Sequence, residues 1–236
     1  MPPMNEQFQI WSILHFSILI ITAVIMIVLV SIARKKENTA LPRRIGYTLA
    51  VILSLNSAIY IFYRIYSGFW EIRYDLPMEF CNWSMFFTTV ALINHNKIMA
   101  ELSYYWVMAG SVHAIFTPDL QVTFPHIYFF LFFVAHSGLV ISSLYVVFGL
   151  RLYPGKRSVS RAFIILQFYF ISAFMADKIL VSNYGYMMAK PTSRSVLNFL
   201  WEWPYYLIQM QIIFIALFII LYLPFYLSDR KKVSRK

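Results

Sequence analysis

The only cysteine of the chain lies in a run of polar residues that opens an otherwise apolar segment. Within the run Pro77 to Ser84, the residues Glu79, Cys81 and Asn82 bring a carboxylate, a thiol and an amide close together. Polar groups at membrane depth cost free energy unless they are partnered, so they favour a functional interpretation. A thiolate beside an imidazole is a nucleophile suited to acyl transfer. The alternative is that the cysteine is a small buried apolar residue and that the asparagine joins two helices through a hydrogen bond.

Two histidines are candidates for the base that such a thiol requires. Cys81 with His136 or His113, and with Asn82 or Asn183 as oxyanion donor, would suit acyl transfer. Counted along their helices, Cys81 lies about 6 Å and His136 about 15 Å from the outer helix ends, a difference of about 9 Å in depth. A shift of the helix ends by about two to four residues would close that difference. His113 needs a smaller adjustment.

The composition is that of a polytopic membrane protein. Hydrophobic residues make up 60% of the chain, charged residues 13%, and the mean hydropathy is +0.64, whereas about a quarter of an ordinary soluble domain is charged. The formal charge of +10 comes from basic clusters between apolar runs, which set membrane topology, so no nucleic-acid partner is predicted. A single cysteine forms no internal disulfide, and no His/Cys spacing indicates a metal site. We predict neither a metal nor a cofactor.

Seven stretches are long enough to cross a bilayer, since a span needs about 20 mostly apolar residues. They lie near residues 8–33, 45–68, 77–94, 98–116, 126–150, 162–182 and 204–227. The sequence therefore predicts an all-α, seven-transmembrane-helix bundle that forms a single integral membrane domain over residues 1–236. Because Met1 to Gln9 contains no Lys or Arg, a cleavable signal peptide is not indicated, and the first stretch is expected to remain as an anchor.

Basic residues concentrate in alternate loops of this arrangement. By the positive-inside rule the basic side is cytoplasmic, which predicts an N-terminus outside and a C-terminus inside a plasma membrane. The weakly charged side carries Arg73 with Asp75, then Asp119, then Lys190 with Arg194. The basic side carries Arg34, Lys35, Lys36, Arg43, Arg44, Lys97, Arg151, Lys156, Arg157, Arg161, Arg230, Lys231, Lys232, Arg235 and Lys236.

Nearly all polar residues within the predicted spans fall in the outer half of the bundle. Taken singly, each could serve only to join two helices, but polar residues with that role alone would be scattered through both leaflets. The one-sided distribution predicts one polar cavity open to the outer leaflet. Its candidate residues are Arg64, Glu79, Cys81, Asn82, His113, His136, Asp177 and Asn183.

Two ion pairs are expected from this distribution. A charge cannot lie uncompensated in a bilayer, so Arg64 is predicted to hydrogen-bond with Glu79 or Asp177. Glu101 lies near the cytoplasmic side and is expected to pair with a nearby lysine such as Lys97.

Several short motifs follow one another from the third segment to the seventh. They are Leu76-Pro77 followed by Phe80-Cys81-Asn82, Glu101-Leu102-Ser103-Tyr104-Tyr105-Trp106 through Gly110, Thr117-Pro118-Asp119-Leu120, Phe124-Pro125, Ala135-His136-Ser137-Gly138, Asn183-Tyr184 with Tyr186, Lys190-Pro191 and Trp203-Pro204-Tyr205-Tyr206. In order and spacing these motifs resemble the YwaF-like family of bacterial multipass proteins. The resemblance implies a relation to vertebrate phospholipid acyltransferases that work through an acylated cysteine, with Cys81 as nucleophile and His136 as the histidine. The sequence departs from the family at Ala135, where a serine is more common before His-Gly, and at Asp177, where an amide is common.

The leading functional prediction is a phospholipid acyltransferase with an acyl-cysteine intermediate. Its partners would be membrane lipids, namely an acyl-chain donor and a lysophospholipid acceptor. The alternative is a non-catalytic seven-helix protein that binds a ligand or senses a signal through the same cavity. The last segment has no lysine for a retinal Schiff base, and the third ends without an acidic-Arg pair. A transporter is disfavoured because neither repeats nor broken helices are evident.

Overall fold

The computed structural model describes residues 8–191 and 195–233, and within these ranges the chain is helical and contains no strand. The predicted loop residues Arg194, Arg235 and Lys236 lie outside the described residues. Short 3-10 helices cover Tyr184–Tyr186 and Val196–Phe199, and π-helices cover Val107–Ser111 and Tyr145–Gly149. The α-helices are α1 (Ile13–Lys35), α2 (Leu41–Tyr66), α3 (Ile72–Asp75), α4 (Phe80–Asn94), α5 (Lys97–Trp106), α6 (His113–Phe116), α7 (Ile127–Leu144), α8 (Ser158–Leu180) and α9 (Tyr205–Val233).

Each of the seven predicted segments contains a helix, but the lengths differ. The third segment falls short of a span, since α4 has 15 residues, or about 22 Å, against a hydrocarbon core of about 30 Å. In the fourth segment, the 10-residue α5 is followed by a π-helix and the short α6. The all-helical membrane class is confirmed, whereas the count of seven crossings stays a prediction. Within the described residues, five helices are long and apolar enough to cross a membrane: Ile13–Lys35, Leu41–Tyr66, Ile127–Gly149, Ser158–Leu180 and Tyr205–Ser228.

The outer helices α1 and α9 present apolar side chains to the surroundings. Ile20 and Ile21 on α1, like Ile219 and Ile220 on α9, are exposed at the surface of the bundle. Large contiguous apolar surface of this kind is rare on soluble proteins. These helices therefore have the surface of lipid-facing membrane helices.

A tight hairpin joins α4 to α5 and sets how the two helices pack. His95 ends α4 in the left-handed conformation at φ 51°, and the Asn96 side chain accepts hydrogen bonds from the first amides of α5, Ile98 N at 2.9 Å among them. Further along, the hydroxyls of Thr88 and Ser103 join the helices at 2.7 Å. The start of α4 is thereby held beside the π-helix that follows α5.

Aromatic rings fill the interior where α4 begins. Phe80 stacks on Trp106 with ring centroids 4.9 Å apart, and Tyr169 of α8 meets both rings edge-on at 5.3 and 5.6 Å. A Cβ atom at Gly110 would lie 2.3 Å from the Phe80 ring, so only glycine admits the ring there. This packing fixes the position of Cys81, the next residue along α4.

A buried ion pair holds the predicted cytoplasmic end of the bundle. Glu101 is fully buried, and its Oε2 accepts from Arg161 Nε at 2.9 Å and Nη2 at 2.6 Å. Its Oε1 accepts from Gly155 N at 3.0 Å. Arg161, and not the predicted Lys97, is therefore the partner of this carboxylate. The arginine begins the second turn of α8, where its planar group can use two donors on one carboxylate.

Candidate functional site

Cys81 lies in the first turn of α4, at the predicted outer end of the bundle. Glu79, two residues before the cysteine, has extended backbone and occupies the N-cap position, so the helix starts at Phe80. The cysteine is a half-buried free thiol. It packs against a cluster formed by Val107, Ile115, Leu139 and Val140. The thiol thus lies where α4, the end of the α5 to α6 run and α7 meet.

A set of polar groups lies near this thiol. The hydroxyl of Tyr169 lies within electrostatic range of Glu79, Cys81 and Asp177, and Ser111 lies beside the thiol. These five residues are called the outer polar site below. Three separate parts of the chain contribute to it: the start of α4, the π-helix after α5, and α8, on which Tyr169 and Asp177 lie about two turns apart.

Three buried atoms of the outer polar site lack a hydrogen-bond partner. They are the Tyr169 hydroxyl, Asp177 Oδ2 and Ser111 Oγ. The Ser111 hydroxyl is close to the thiol but without regular hydrogen-bond geometry. Buried polar atoms are almost always paired, so unpaired ones that converge call for an explanation. A bound polar group would satisfy them.

The loop after α8 covers the outer polar site. Asp177 Oδ1 accepts from Ser182 Oγ at 2.6 Å and from Tyr184 N at 2.7 Å, which turns the chain back over the helix end. Gly185 N then donates to Glu79 Oε2 at 3.2 Å. The hydroxyl of Tyr184 donates to Ile72 O at 2.6 Å. The two acidic residues of the site therefore also anchor its cover.

Asn183, a predicted oxyanion donor, holds this loop together. Its Nδ2 donates to Ala189 O at 2.9 Å, and its Oδ1 accepts from Met188 N at 2.9 Å and Ala189 N at 3.0 Å. The described geometry assigns the amide to loop structure. Asn82 is half-buried in the first turn of α4, beside the cysteine in sequence.

His136 lies on α7 with a defined tautomer. Its Nδ1 is 2.8 Å from Phe132 O, and because a carbonyl only accepts, Nδ1 carries the proton and Nε2 keeps its lone pair. Leu139 and Val140, which belong to the cluster around Cys81, follow His136 by three and four residues and so share its helix face. His136 therefore lies about one turn from residues of the thiol cluster, and no hydrogen bond joins it to the thiol among the described residues.

The remaining predicted site residues lie elsewhere. His113 is exposed at the start of α6. Arg64 binds Asp75, with Nε to Oδ1 at 2.9 Å and Nη2 to Oδ2 at 2.8 Å. The prediction that Arg64 pairs with Glu79 or Asp177 is therefore wrong. Only a short loop separates α2 from α3, and this places the Asp75 carboxylate beside Arg64.

Asp75 is the best-satisfied carboxylate at this end. Tyr60 donates to its Oδ1 at 2.9 Å and Glu71 N to its Oδ2 at 2.9 Å, in addition to the two arginine bonds. Burial opposes its ionisation, but the hydrogen bonds from Arg64, Glu71 and Tyr60 outweigh burial and hold the pKa of Asp75 below its ordinary value. The pair thus fixes α3 on the end of α2, next to the loop that Tyr184 ties down.

Tyr169 and Ser111 are members of the site that the sequence analysis missed. One signal for Tyr169 was available: Tyr169, Ala173 and Asp177 recur every four residues and are all buried on α8. A polar residue at both ends of a buried helical stripe indicates an interior polar pair. Nothing in the sequence distinguishes Ser111 from the other serines.

Replacing Gly185 by alanine is expected to disturb the site directly. The glycine has φ +59°, and an added Cβ would lie 2.3 Å from the Tyr169 hydroxyl. We expect an unfolding free energy lower by about 1–3 kcal/mol from the overlap, beyond the cost of the left-handed backbone. Thermal unfolding of the detergent-solubilised protein measures it.

Gly68→Ala is the matched control, since this glycine has φ +69° and no atom within 4 Å of an added Cβ. Combining Gly185→Ala with Tyr169→Phe removes the hydroxyl and should restore part of the lost stability. Equal losses in the Gly185 and Gly68 variants would contradict the contact between the loop and Tyr169.

Comparison with known proteins assigns the chain to a family. No curated protein and no solved structure matches it. The model described as the TMEM164 family matches residues 9–222, which is most of the 236-residue chain. The predicted resemblance to a multipass membrane family is confirmed at that level, and the relation to YwaF-like proteins and to acyltransferases stays a prediction. The chain belongs to the TMEM164 family.

Proposed function

We propose that this protein is a membrane phospholipid acyltransferase that works through an acylated Cys81. The observation that carries the proposal is the outer polar site: a half-buried thiol beside converging buried polar atoms that lack partners. Aliphatic residues also pack against the cysteine, which suits an acyl chain. The partners are membrane lipids, as acyl donor and as lysophospholipid acceptor.

The reaction has two acyl transfers that balance. In the first, the Cys81 sulfur attacks the ester carbonyl of a donor phospholipid, a thioester forms, and the ester C–O bond breaks. The thiol proton passes to a base and then to the released lysophospholipid oxygen. In the second, the hydroxyl of an acceptor lysophospholipid attacks the thioester, an ester C–O bond forms and the C–S bond breaks. The hydroxyl proton passes through the base to the Cys81 sulfur, which restores the thiol. Both steps need a group that moves a proton near neutral pH.

His136 is proposed as that group. Its Nε2 has the lone pair required of a base because Nδ1 is engaged with Phe132 O. It shares a helix face with Leu139 and Val140, which pack in the cluster around the thiol. Catalytic hydrogen bonds often tighten only when substrate is bound. Glu79 and Tyr169, near the thiol, are proposed to bind the acceptor hydroxyl together with Asp177, Asn82 and Ser111.

Acyl exchange in proteoliposomes tests the activity. We expect the protein to move acyl chains from a diacyl phospholipid to a labelled lysophospholipid, and Cys81→Ser to lower the rate by at least about 100-fold because the nucleophile is lost. His136→Gln should lower the rate by about 10²–10⁴-fold. His126→Gln, which removes the histidine at the N-cap of α7, is the control. Full exchange by Cys81→Ser would contradict the mechanism.

A second candidate is a ligand-binding or sensory protein that uses the same cavity without covalent chemistry. The unpartnered Tyr169 hydroxyl and Asp177 Oδ2 favour it, because both can hydrogen-bond to a ligand that does not react. Ligand-dependent stabilisation that survives Cys81→Ser, with no acyl exchange by the unaltered protein, is the result this alternative predicts.

The proposed topology has seven crossings, with the N-terminus outside and the C-terminus in the cytoplasm of the plasma membrane. The basic loop residues support this orientation through the positive-inside rule. For the short α4, the loops that precede and follow it supply the remaining depth. In this arrangement the outer polar site lies at the depth of the outer leaflet.

A further inference from the structure

A groove lies between α2 and α4, at the opposite end of the bundle from the outer polar site. Its volume is about 390 Å³, and it is called the α2–α4 groove below. The lining is almost entirely hydrocarbon and includes exposed side chains of Val51, Leu55 and Ile93, so the groove opens on the lipid-facing side. Its full lining is Tyr47, Ala50, Val51, Ser54, Leu55 and Ile93.

The shape of the groove suits an extended chain. Eight residues of α2 separate Tyr47 from Leu55, a rise of about 12 Å along the helix axis. At the base, Gly46 brings the two helices together, since an added Cβ would lie 3.4 Å from Leu92 O. The two helices are therefore in close contact next to the groove, whose exposed residues Val51, Leu55 and Ile93 face the bilayer.

Positive charge lies at one end of the groove. Arg43 and Arg44 are exposed and precede Tyr47 by four and three residues, so they share its helix face. Among the described side chains no carboxylate lies within ion-pairing distance of either, whereas Arg151 and Arg161 both have acidic partners. The two arginines are charges without a counter-ion at the mouth of an apolar groove.

A third polar group faces the same place. His95 follows the groove residue Ile93 by two positions and interacts electrostatically with Arg43. Its Nε2 is buried and lacks a hydrogen-bond partner. The backbone here is held in place, because the Tyr145 hydroxyl donates to Pro42 O at 2.8 Å at the start of α2.

We propose that the α2–α4 groove binds an anionic glycerophospholipid. Its phosphate contacts Arg43, Arg44 and His95, and one acyl chain lies along α2 from Tyr47 to Leu55. The arginines supply the charge that a phosphodiester with an anionic or neutral headgroup requires. The apolar lining of the groove can contact an acyl chain, whereas a free phosphate ion would leave that lining uncovered. This site is separate from the proposed acyl-transfer site, so it stands or falls independently of that activity.

Native mass spectrometry of the full chain tests the proposal. The purified protein is mixed with equal amounts of phosphatidylglycerol and phosphatidylcholine that have the same acyl chains. We expect adducts mainly of phosphatidylglycerol. Each basic residue near a membrane surface contributes about 1 kcal/mol toward an anionic lipid, so Arg43→Gln with Arg44→Gln should lower the preference by about 30-fold.

Two further variants separate a site from general attraction. Lys35→Gln with Lys36→Gln removes the same charge from the exposed end of α1 and should keep the preference. Ser54→Phe fills the groove and should reduce phosphatidylglycerol adducts while the arginines remain. Equal binding of the two lipids, an equal loss in the lysine variant, or full binding by Ser54→Phe would each overturn the proposal. Unchanged thermal unfolding of the variants shows that they are folded.

Discussion

Arg161→Met is expected to lower the unfolding free energy by about 3 kcal/mol, the lower end of the range for breaking a buried pair. The variant leaves Glu101 fully buried with one backbone hydrogen bond from Gly155. We use the lower end of that range of free energies because the Arg161 side chain is 37% exposed, so water already solvates part of the pair. For a chain of this size the midpoint should fall by about 6–12 °C, measured by thermal unfolding in detergent.

Arg157→Met is the matched control for this prediction. Arg157 is exposed one turn earlier at the start of α8, and no ion pair involves it among the described residues. Its loss should change the midpoint little, as is usual for surface substitutions. Arg161→Lys should fall between the two variants, since a lysine keeps the charge but not the two-donor fork. Equal midpoints for the Arg161 and Arg157 variants would refute a structural role for the pair.

Arg64→Met is expected to have an effect of similar size at the other end of the bundle, about 3–5 kcal/mol. Asp75 is left with its side chain 1% exposed and with bonds only from Tyr60 and Glu71. The measurement is again thermal unfolding. Arg73→Met, an exposed arginine on α3, is the control, and a double variant with Asp75→Leu should recover part of the loss because no charge is stranded.

The same pair predicts a pH dependence. The folded protein holds the pKa of Asp75 below its ordinary value, so the stabilisation is complete above about pH 4, the unfolded value, and is lost as pH falls through the folded pKa. In Arg64→Met the largest cause of that lowering is lost, so the contribution of Asp75 to stability no longer falls in acid. The difference in unfolding free energy between the two proteins should be largest above about pH 4 and should narrow as pH falls. A difference that stays constant across this pH range would contradict the assignment of Arg64 as the main cause.

Hydropathy was enough to find the helices, because a bilayer span requires a long apolar run whatever it packs against. The ends were harder: the α4–α5 hairpin at His95 and Asn96 depends on backbone conformation and capping, which hydropathy does not report. The short length of α4 also follows from those ends. The sequence therefore predicted the class and segment positions, and the structure supplied their lengths.

Ion-pair partners were the weakest part of the prediction, for a physical reason. Counting residues along a helix predicts only how deep in the bilayer a charge lies. Which partner it meets also depends on how each helix is rotated about its axis and on the path of the loops. Asp75 reaches Arg64 because α3 folds back onto α2, and Arg161 reaches Glu101 because α8 begins beside α5. Both partners had been treated as loop charges.

The outer polar site was predicted in part. Glu79 and Cys81 on the third segment and Asp177 on the sixth were expected in the outer half of the bundle, and all three interact electrostatically with the Tyr169 hydroxyl. Tyr169 itself lies in an apolar stretch where an aromatic residue attracts no notice, although its spacing of eight residues from Asp177 was available. Asn183 was expected in the cavity and instead organises the loop above it.

Peptide mapping of the purified protein after incubation with a phospholipid donor tests the acyl-cysteine most directly. The account predicts an added acyl mass on the peptide that contains Cys81, removed by neutral hydroxylamine because a thioester is cleaved by it, and no such mass in Cys81→Ser. It also predicts that adding lysophospholipid discharges the adduct as a diacyl product. A protein that exchanges acyl chains while Cys81 stays unmodified throughout turnover would contradict the account.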